Sequence, residues 1–169
     1  MFTLTERVTI SAAATDTFAT IDLGSYVDVG DRQALQIHSV DYITQGETPE
    51  QSLIVSTGSD ASIDAQVTDL NRGGLVFAND RALVSSMRLL IDQGNNQATA
   101  VTDMFPDNYG KGADDGRYVV NDALYVTCRT SHLAATEALN ITVRVNASIV
   151  TLTQKDFMAI AIQSTAADN

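Results

Sequence analysis

The chain has 169 residues and a mass of 18.1 kDa, enough for one domain with a sizeable core, and 44% hydrophobic residues with a mean hydropathy of +0.00 describe a soluble globular chain. No apolar run approaches the roughly 20 residues that a membrane-spanning helix needs, so no transmembrane segment is expected. The net charge of −11, from 17 Asp and 4 Glu against 8 Arg and 2 Lys, repels phosphate backbones, and no basic cluster offsets it, which argues against direct nucleic-acid binding. Asp favours turns and caps where Glu favours helix interiors, so this acid set suits short strands joined by tight turns.

In chain order, Phe2, Leu4, Val8 and Ile10 alternate with Thr3, Thr5, Arg7 and Thr9 and predict a first strand with one wet face. A second is expected at Phe18–Leu23. Around Leu35, Ile37, Val40 and Tyr42 the apolar positions change phase, which points to a bulge or to a strand passing between two sheets. Leu53–Ser56 and Leu75–Phe77 read as short strands, and Ala61, Ile63, Ala65 and Val67 define a longer one between them. Strands follow at Val84–Ile91, Tyr118–Val120 and Leu124–Cys128. The clearest pattern is 139–149, where Leu139, Ile141, Val143, Val145, Ala147 and Ile149 share one face and Asn140, Thr142, Arg144, Asn146 and Ser148 the other.

Turn signals at Val29-Gly-Asp31, Gly58-Ser-Asp60, Arg72-Gly-Gly74, Asp92-Gln-Gly-Asn-Asn96 and Asp114-Asp-Gly116 separate these runs. Eight to ten strands with this punctuation predict an all-β, two-sheet antiparallel sandwich of jelly-roll type, forming a single domain over 1–169. Thr153 with Asp156 makes an imperfect capping box ahead of Phe157, Met158, Ile160 and Ala161, so a terminal helix is expected over 153–163, with 164–169 frayed.

The search for chemistry returns little, and no catalytic, cofactor-binding or metal-ligating residue is assigned. His38 and His132 lie far apart with no Glu or Cys at helix spacing, and Ser131-His132 are strand neighbours that point opposite ways. Gly110-Lys-Gly112 lacks the spacing and preceding strand of a phosphate cradle. The single Cys128 excludes an internal disulfide, leaves the redox compartment open, and by alternation joins Leu124 and Val126 on a buried face. In the polar loop 103–116, Asp103, Asp107, Asn108, Asp114 and Asp115 could offer several of the about six to eight oxygens that calcium takes, but the spacing is not that of an EF-hand and an exposed acidic loop is the simpler reading. Asn140-Ile-Thr142 and Asn146-Ala-Ser148 match the glycosylation sequon by chance, and Met1–Arg7 shows no secretory signal.

The opening strand, the short Thr-, Ala- and Asp-rich strands after it, the long loop 103–116, the strand 139–149 and the terminal helix together resemble the single jelly-roll coat proteins of small tailless viruses. The likeness is one of architecture and covers most of the chain. It implies a structural capsid protein of the virion that self-assembles into a large homo-oligomer, with other shell proteins as further partners, through sheet faces, loops and termini. Members that package genomes directly commonly carry a basic N-terminal arm. Here Arg7 is the one basic residue among the first twenty, so direct genome contact is not expected. The alternative from the residues is a calcium- or carbohydrate-binding sandwich module, and an enzyme ranks third.

Overall fold

The computed structural model describes residues 1–28, 30–103 and 116–166. Among these residues nine strands and two helices follow in chain order: β1 (Phe2–Ile10), β2 (Thr17–Asp22), β3 (Gln33–Gln45), α1 (Leu53–Thr57), β4 (Ala61–Thr68), β5 (Leu83–Asp92), β6 (Gln97–Asp103), β7 (Arg117–Val119), β8 (Ala123–Thr130), β9 (Leu139–Thr151) and α2 (Gln154–Ala166). They form two antiparallel sheets, β1-β9-β3-β7 and β2-β8-β4-β5-β6. The pairings nest: β1 with β9, β2 with β8, β3 with β7 and β4 with β5.

The alternation read from β9 is the organising element of the first sheet. Ile141, Val143, Val145 and Ala147 are fully buried, and β9 pairs along its length with β1 on one side and β3 on the other. Ile63, Ala65 and Val67 of β4 and Leu124, Val126 and Cys128 of β8 supply the facing layer of the same core cluster. Burying each Val or Ile contributes about 1.5–3 kcal/mol, so this interior dominates the stability of the sandwich. The phase change in β3 is a bulge: Ile37 faces Ala147 and Ser39 faces Asn146, with His38 as the extra residue, and β3 stays within one sheet. Gly116 passes close to this bulge at φ +72°, and a Cβ there would collide with the Ile37 carbonyl oxygen.

Two expected strands need correction. Leu53–Ser56 is not a strand but lies in α1, because a short apolar run does not distinguish the two states and Gly58, at φ 69°, closes a helical turn by donating to the Ile54 carbonyl. Leu53 and Ile54 then pack on the core from outside the sheets. Leu75–Phe77 forms no strand; it is held by a side chain of β4. Conversely β6 carries no apolar face and was not anticipated, although the turn signal Asp92–Asn96 before it is real, with Asn96 in the left-handed region at φ 54°.

Helix α2 starts as the capping pattern requires. The Asp156 amide donates to Thr153 Oγ1 at 3.2 Å, and the Thr153 hydroxyl donates to Asp156 Oδ2 at 2.7 Å. It continues to Ala166, three residues beyond the expected end at 163, since no Gly or Pro intervenes to stop it; residues 167–169 lie outside the described part. Ile160, with Phe157 and Ala161, packs on Ala34, Tyr118, Val120, Val150 and Leu152, forming a second small cluster on the outer side of the first sheet. Leu4 is buried in the main core, and Phe2 stacks on Tyr26 with ring centroids 5.1 Å apart. Both ends of the described chain therefore pack on their own sandwich.

Candidate interaction surfaces and the buried ion pair

The sequence-level candidates do not converge. His38 sits at the β3 bulge with Nε2 2.8 Å from Ser148 Oγ, and the Ser148 hydroxyl donates in turn to Gln36 Oε1 at 3.3 Å. These contacts tie β3 to β9 across the outer face. His132 is exposed beyond β8, where its carbonyl accepts from Thr130 Oγ1 while Ser131 Oγ accepts from the Ser62 amide. Cys128 is fully buried, and burial pushes its thiol up to about 12. Of the loop 103–116, residues 104–115 lie outside the described part, and with them Asp107, Asn108, Asp114 and Asp115. Among the described residues no group of three or more His, Cys, Asp or Glu is placed to hold a metal ion.

The sequon asparagines have structural work. Thr3 Oγ1 donates to Asn146 Oδ1 and Thr9 Oγ1 to Asn140 Oδ1, both at 2.8 Å. The Asn146 amide nitrogen donates to Ser39 Oγ at 2.9 Å, and that of Asn140 to the Gly46 carbonyl at 2.9 Å. These bonds run across β1, β9 and β3, parallel to the backbone ladder on the outer face of the first sheet. At one end of that face α2 presents Met158 and Ile162 outward, 53% and 60% exposed.

The outer face of the second sheet is organised by charge. Asp64 on β4 stands opposite Arg88 on β5 and Arg129 on β8. Arg88 Nε donates to Asp64 Oδ1 at 2.5 Å, and Arg129 reaches Asp16 at 3.6 Å. Over the same face lies the segment after β4, anchored by Arg72–Asp80 at 3.2 Å and by Gln66, whose amide both accepts from the Val76 N–H and donates to the Val76 carbonyl. Between this segment and β2 and β8 is an open groove of about 340 Å³ lined by Phe18, Thr20, Tyr125, Asn71 and Gly73. Leu90 and Val101 stand exposed toward the β6 edge, at 45% and 66%.

One charged pair was not anticipated. Arg117 opens β7 in phase with Val119, so its side chain enters the sandwich and not solvent. There it pairs with Asp69 Oδ2 at 2.7 Å and donates to the Arg81 and Leu83 carbonyls at 2.6 and 2.8 Å, with both side chains about 95% buried on the values of 5% and 6% exposure. Burial pushes the Asp69 carboxyl above its ordinary value, and the Arg117 guanidinium beside it works against that shift. Asn121 caps the arrangement by donating to the Asp69 carbonyl at 2.6 Å. The pair joins β7 of one sheet to the β4–β5 end of the other. An arginine in phase with Val119 was the sequence signal for it. In sequence the chain matches no known protein family model and no curated protein.

Proposed function

We propose that this chain is a structural, non-enzymatic shell subunit of the single jelly-roll type, a viral capsid protein that self-assembles in the virion without binding the genome directly. The observation that carries the reading is the nested strand order. Four pairs, β1–β9, β2–β8, β3–β7 and β4–β5, are what one long hairpin produces when it is wrapped into two facing sheets, with β6 added at one edge. That wrapping is shared by viral coat proteins and lectins. Assembly is favoured over ligand binding because large apolar side chains face outward at several separate places: Phe77 beside the second sheet, Leu90 and Val101 toward β6, and Met158 and Ile162 on α2. A subunit with neighbours on several sides has this distribution.

Size-exclusion chromatography with negative-stain microscopy tests the reading. Closed particles are expected, and their yield should rise with salt or divalent cations because screening relieves repulsion between subunits of −11 charge. A monomer from low to molar salt, with and without calcium, would overturn it. Saturable binding of DNA or RNA at about 150 mM salt would overturn the expectation of no direct genome contact.

The groove between Phe18 and Tyr125 favours a second reading, a carbohydrate-binding module. Phe18, Tyr125, Thr20 and Asn71, which line it, are residue types that stack on and hydrogen-bond a sugar. A monomer whose Tyr125 resonances shift on glycan titration, with the shift lost in Tyr125→Ala, would favour it over the shell.

A further inference from the structure

The five-stranded sheet overhangs the four-stranded one at β6. Residues 97–101 are exposed on both faces, Ala98 and Ala100 on the inner side as well as Thr99 and Val101 on the outer. One edge of β6 pairs with β5, and among the described residues the other has no neighbouring strand in the sheet order. Such an edge is a template for another strand, and proteins ordinarily blunt it with charge, proline, a bulge or brevity. None of these devices is present in Gln97-Ala-Thr-Ala-Val-Thr-Asp103, seven residues whose register to β5 is regular and whose one charge is at the end. Among the described edge strands, β7 has three residues and β1 carries Glu6 and Arg7 at its middle, while β2 is similar to β6 in length.

We infer that β6 is a self-association edge, where a second copy of this chain adds its own β6 antiparallel about a twofold axis through Ala100, joining two five-stranded sheets into one. The inference rests on the self-assembly reading for its partner and on β6 for its geometry. A twofold axis perpendicular to the sheet must pass beside a residue facing its own counterpart, because only then do opposed side chains lie on the same face. Centring on Ala100 uses all seven residues. It sets Thr99 against Val101, a β-branched pair on the outer face, Ala98 against Thr102, and Gln97 against Asp103. In a chain of charge −11 the contact is then almost free of charge. The two Asp103 positions fall at opposite ends, separated by about 20 Å at the usual strand rise, well beyond the screening length at physiological salt. On the outer face Leu90 and Thr99 of one copy lead to Val101 of the other, with Arg88 beyond it. One added strand buries less than the about 1,200–2,000 Å² of a stable isolated interface, so this contact is weak alone and gains from other contacts in a shell.

Ala100→Cys tests the register directly. At the axis the two cysteines face each other at about 4.5–5.5 Å between Cα atoms, within disulfide range, while two Gln97→Cys residues would lie about 20 Å apart. Mild oxidation followed by non-reducing electrophoresis should give disulfide-linked dimer for Ala100→Cys at least about ten times the yield of Gln97→Cys. The double variant Thr99→Cys/Val101→Cys repeats the test on the other face and guards against a folding defect at Ala100. Val101→Lys in the otherwise native chain should weaken dimerisation by about tenfold in sedimentation, since an edge lysine is one of the devices that blocks strand addition. Cross-linking no better than the Gln97→Cys control in both cysteine variants overturns the inference, even where microscopy shows particles and the shell reading stands. Cross-linked dimers without particles at any salt concentration sustain the edge contact and sink the shell reading. Exchange protection in dilute monomer of the β6 amides that point away from β5 would show that edge already occupied, and would also overturn it.

Discussion

The Gln66 carboxamide grips Val76 twice, accepting from its N–H at 2.8 Å and donating to its carbonyl at 2.9 Å. These are the two bonds that a neighbouring strand would make, supplied instead by one side chain on the outer face of β4. The grip explains why an apolar, β-prone stretch at Leu75–Phe77 stays out of both sheets. Replacing Gln66 by Ala removes both bonds and should cost about 1–3 kcal/mol. Urea denaturation gives the loss, and limited trypsin digestion should show faster cleavage at Arg72 and Arg81. An unchanged midpoint and cleavage rate would refute the grip.

Arg117→Met leaves the buried Asp69 carboxyl without its salt-bridge partner, and breaking a buried pair in this way costs about 3–5 kcal/mol. The deficit should depend on pH. A carboxyl whose folded value exceeds its unfolded value of 3.8 contributes stability that is fully present below 3.8 and is lost as pH rises through the folded value. Arg117 opposes the upward shift, so its removal raises the folded value further. The gap between wild type and variant should therefore narrow as pH is lowered from neutrality toward 4, about the range in which free carboxyls titrate. A deficit flat in pH, followed by urea titration across that range, would show that the Asp69 charge is not what the variant exposes.

Cys128, fully buried and raised from 9.0 to about 12, should resist alkylation in the folded protein at mildly alkaline pH and react at once when denaturant is added. Its linkage has the same sign. Stability is complete below 9.0 and falls as pH climbs toward 12, because the unfolded thiol releases its proton first. Native labelling as fast as that of the unfolded chain would contradict the burial.

Val143 and Ile160 are both buried, in different clusters. Val143→Asp places an unpaired charge between the sheets and should cost roughly 3 kcal/mol or more, enough to prevent soluble expression. Ile160→Asp should cost less and release α2 alone, leaving the sheet signal in circular dichroism intact while helix is lost. Equal loss of both signals in Ile160→Asp would mean that α2 is integral to the core.

Where one face of an element is buried and the other wet, the sequence was readable. Alternation along β9, β4 and β1, the buried Cys128, the β3 bulge and the Thr153–Asp156 cap all follow from local pattern. The failures share a cause, which is that the deciding partner lies outside the segment whose pattern is read. Leu53–Thr57 needs Gly58 and the core beside it to choose helix, Val76 needs Gln66, and Arg117 needs Asp69. Strand β6 has two exposed faces and so leaves no hydrophobic period at all. Met158, grouped by pattern with Phe157, Ile160 and Ala161 on the apolar face of the terminal helix, is instead exposed, because outward exposure is a property of the assembled sheets.

The lateral bonds of Asn140 and Asn146 also bear on how the chain finds its alignment while folding. A two-residue slip of β1 along β9 would preserve inside and outside, and the similar Val and Ile side chains of the interior would scarcely register the error. The polar matches would. In the native alignment Thr3 meets Asn146 and Thr9 meets Asn140. A slip one way sets Thr3 against Arg144 and Arg7 against Asn140, with no Thr–Asn match; a slip the other way keeps one, Thr5 with Asn146. The outer face thus acts as a vernier for an interior too uniform to measure its own position, and removing both asparagines should leave a chain that collapses to the right architecture in more than one alignment.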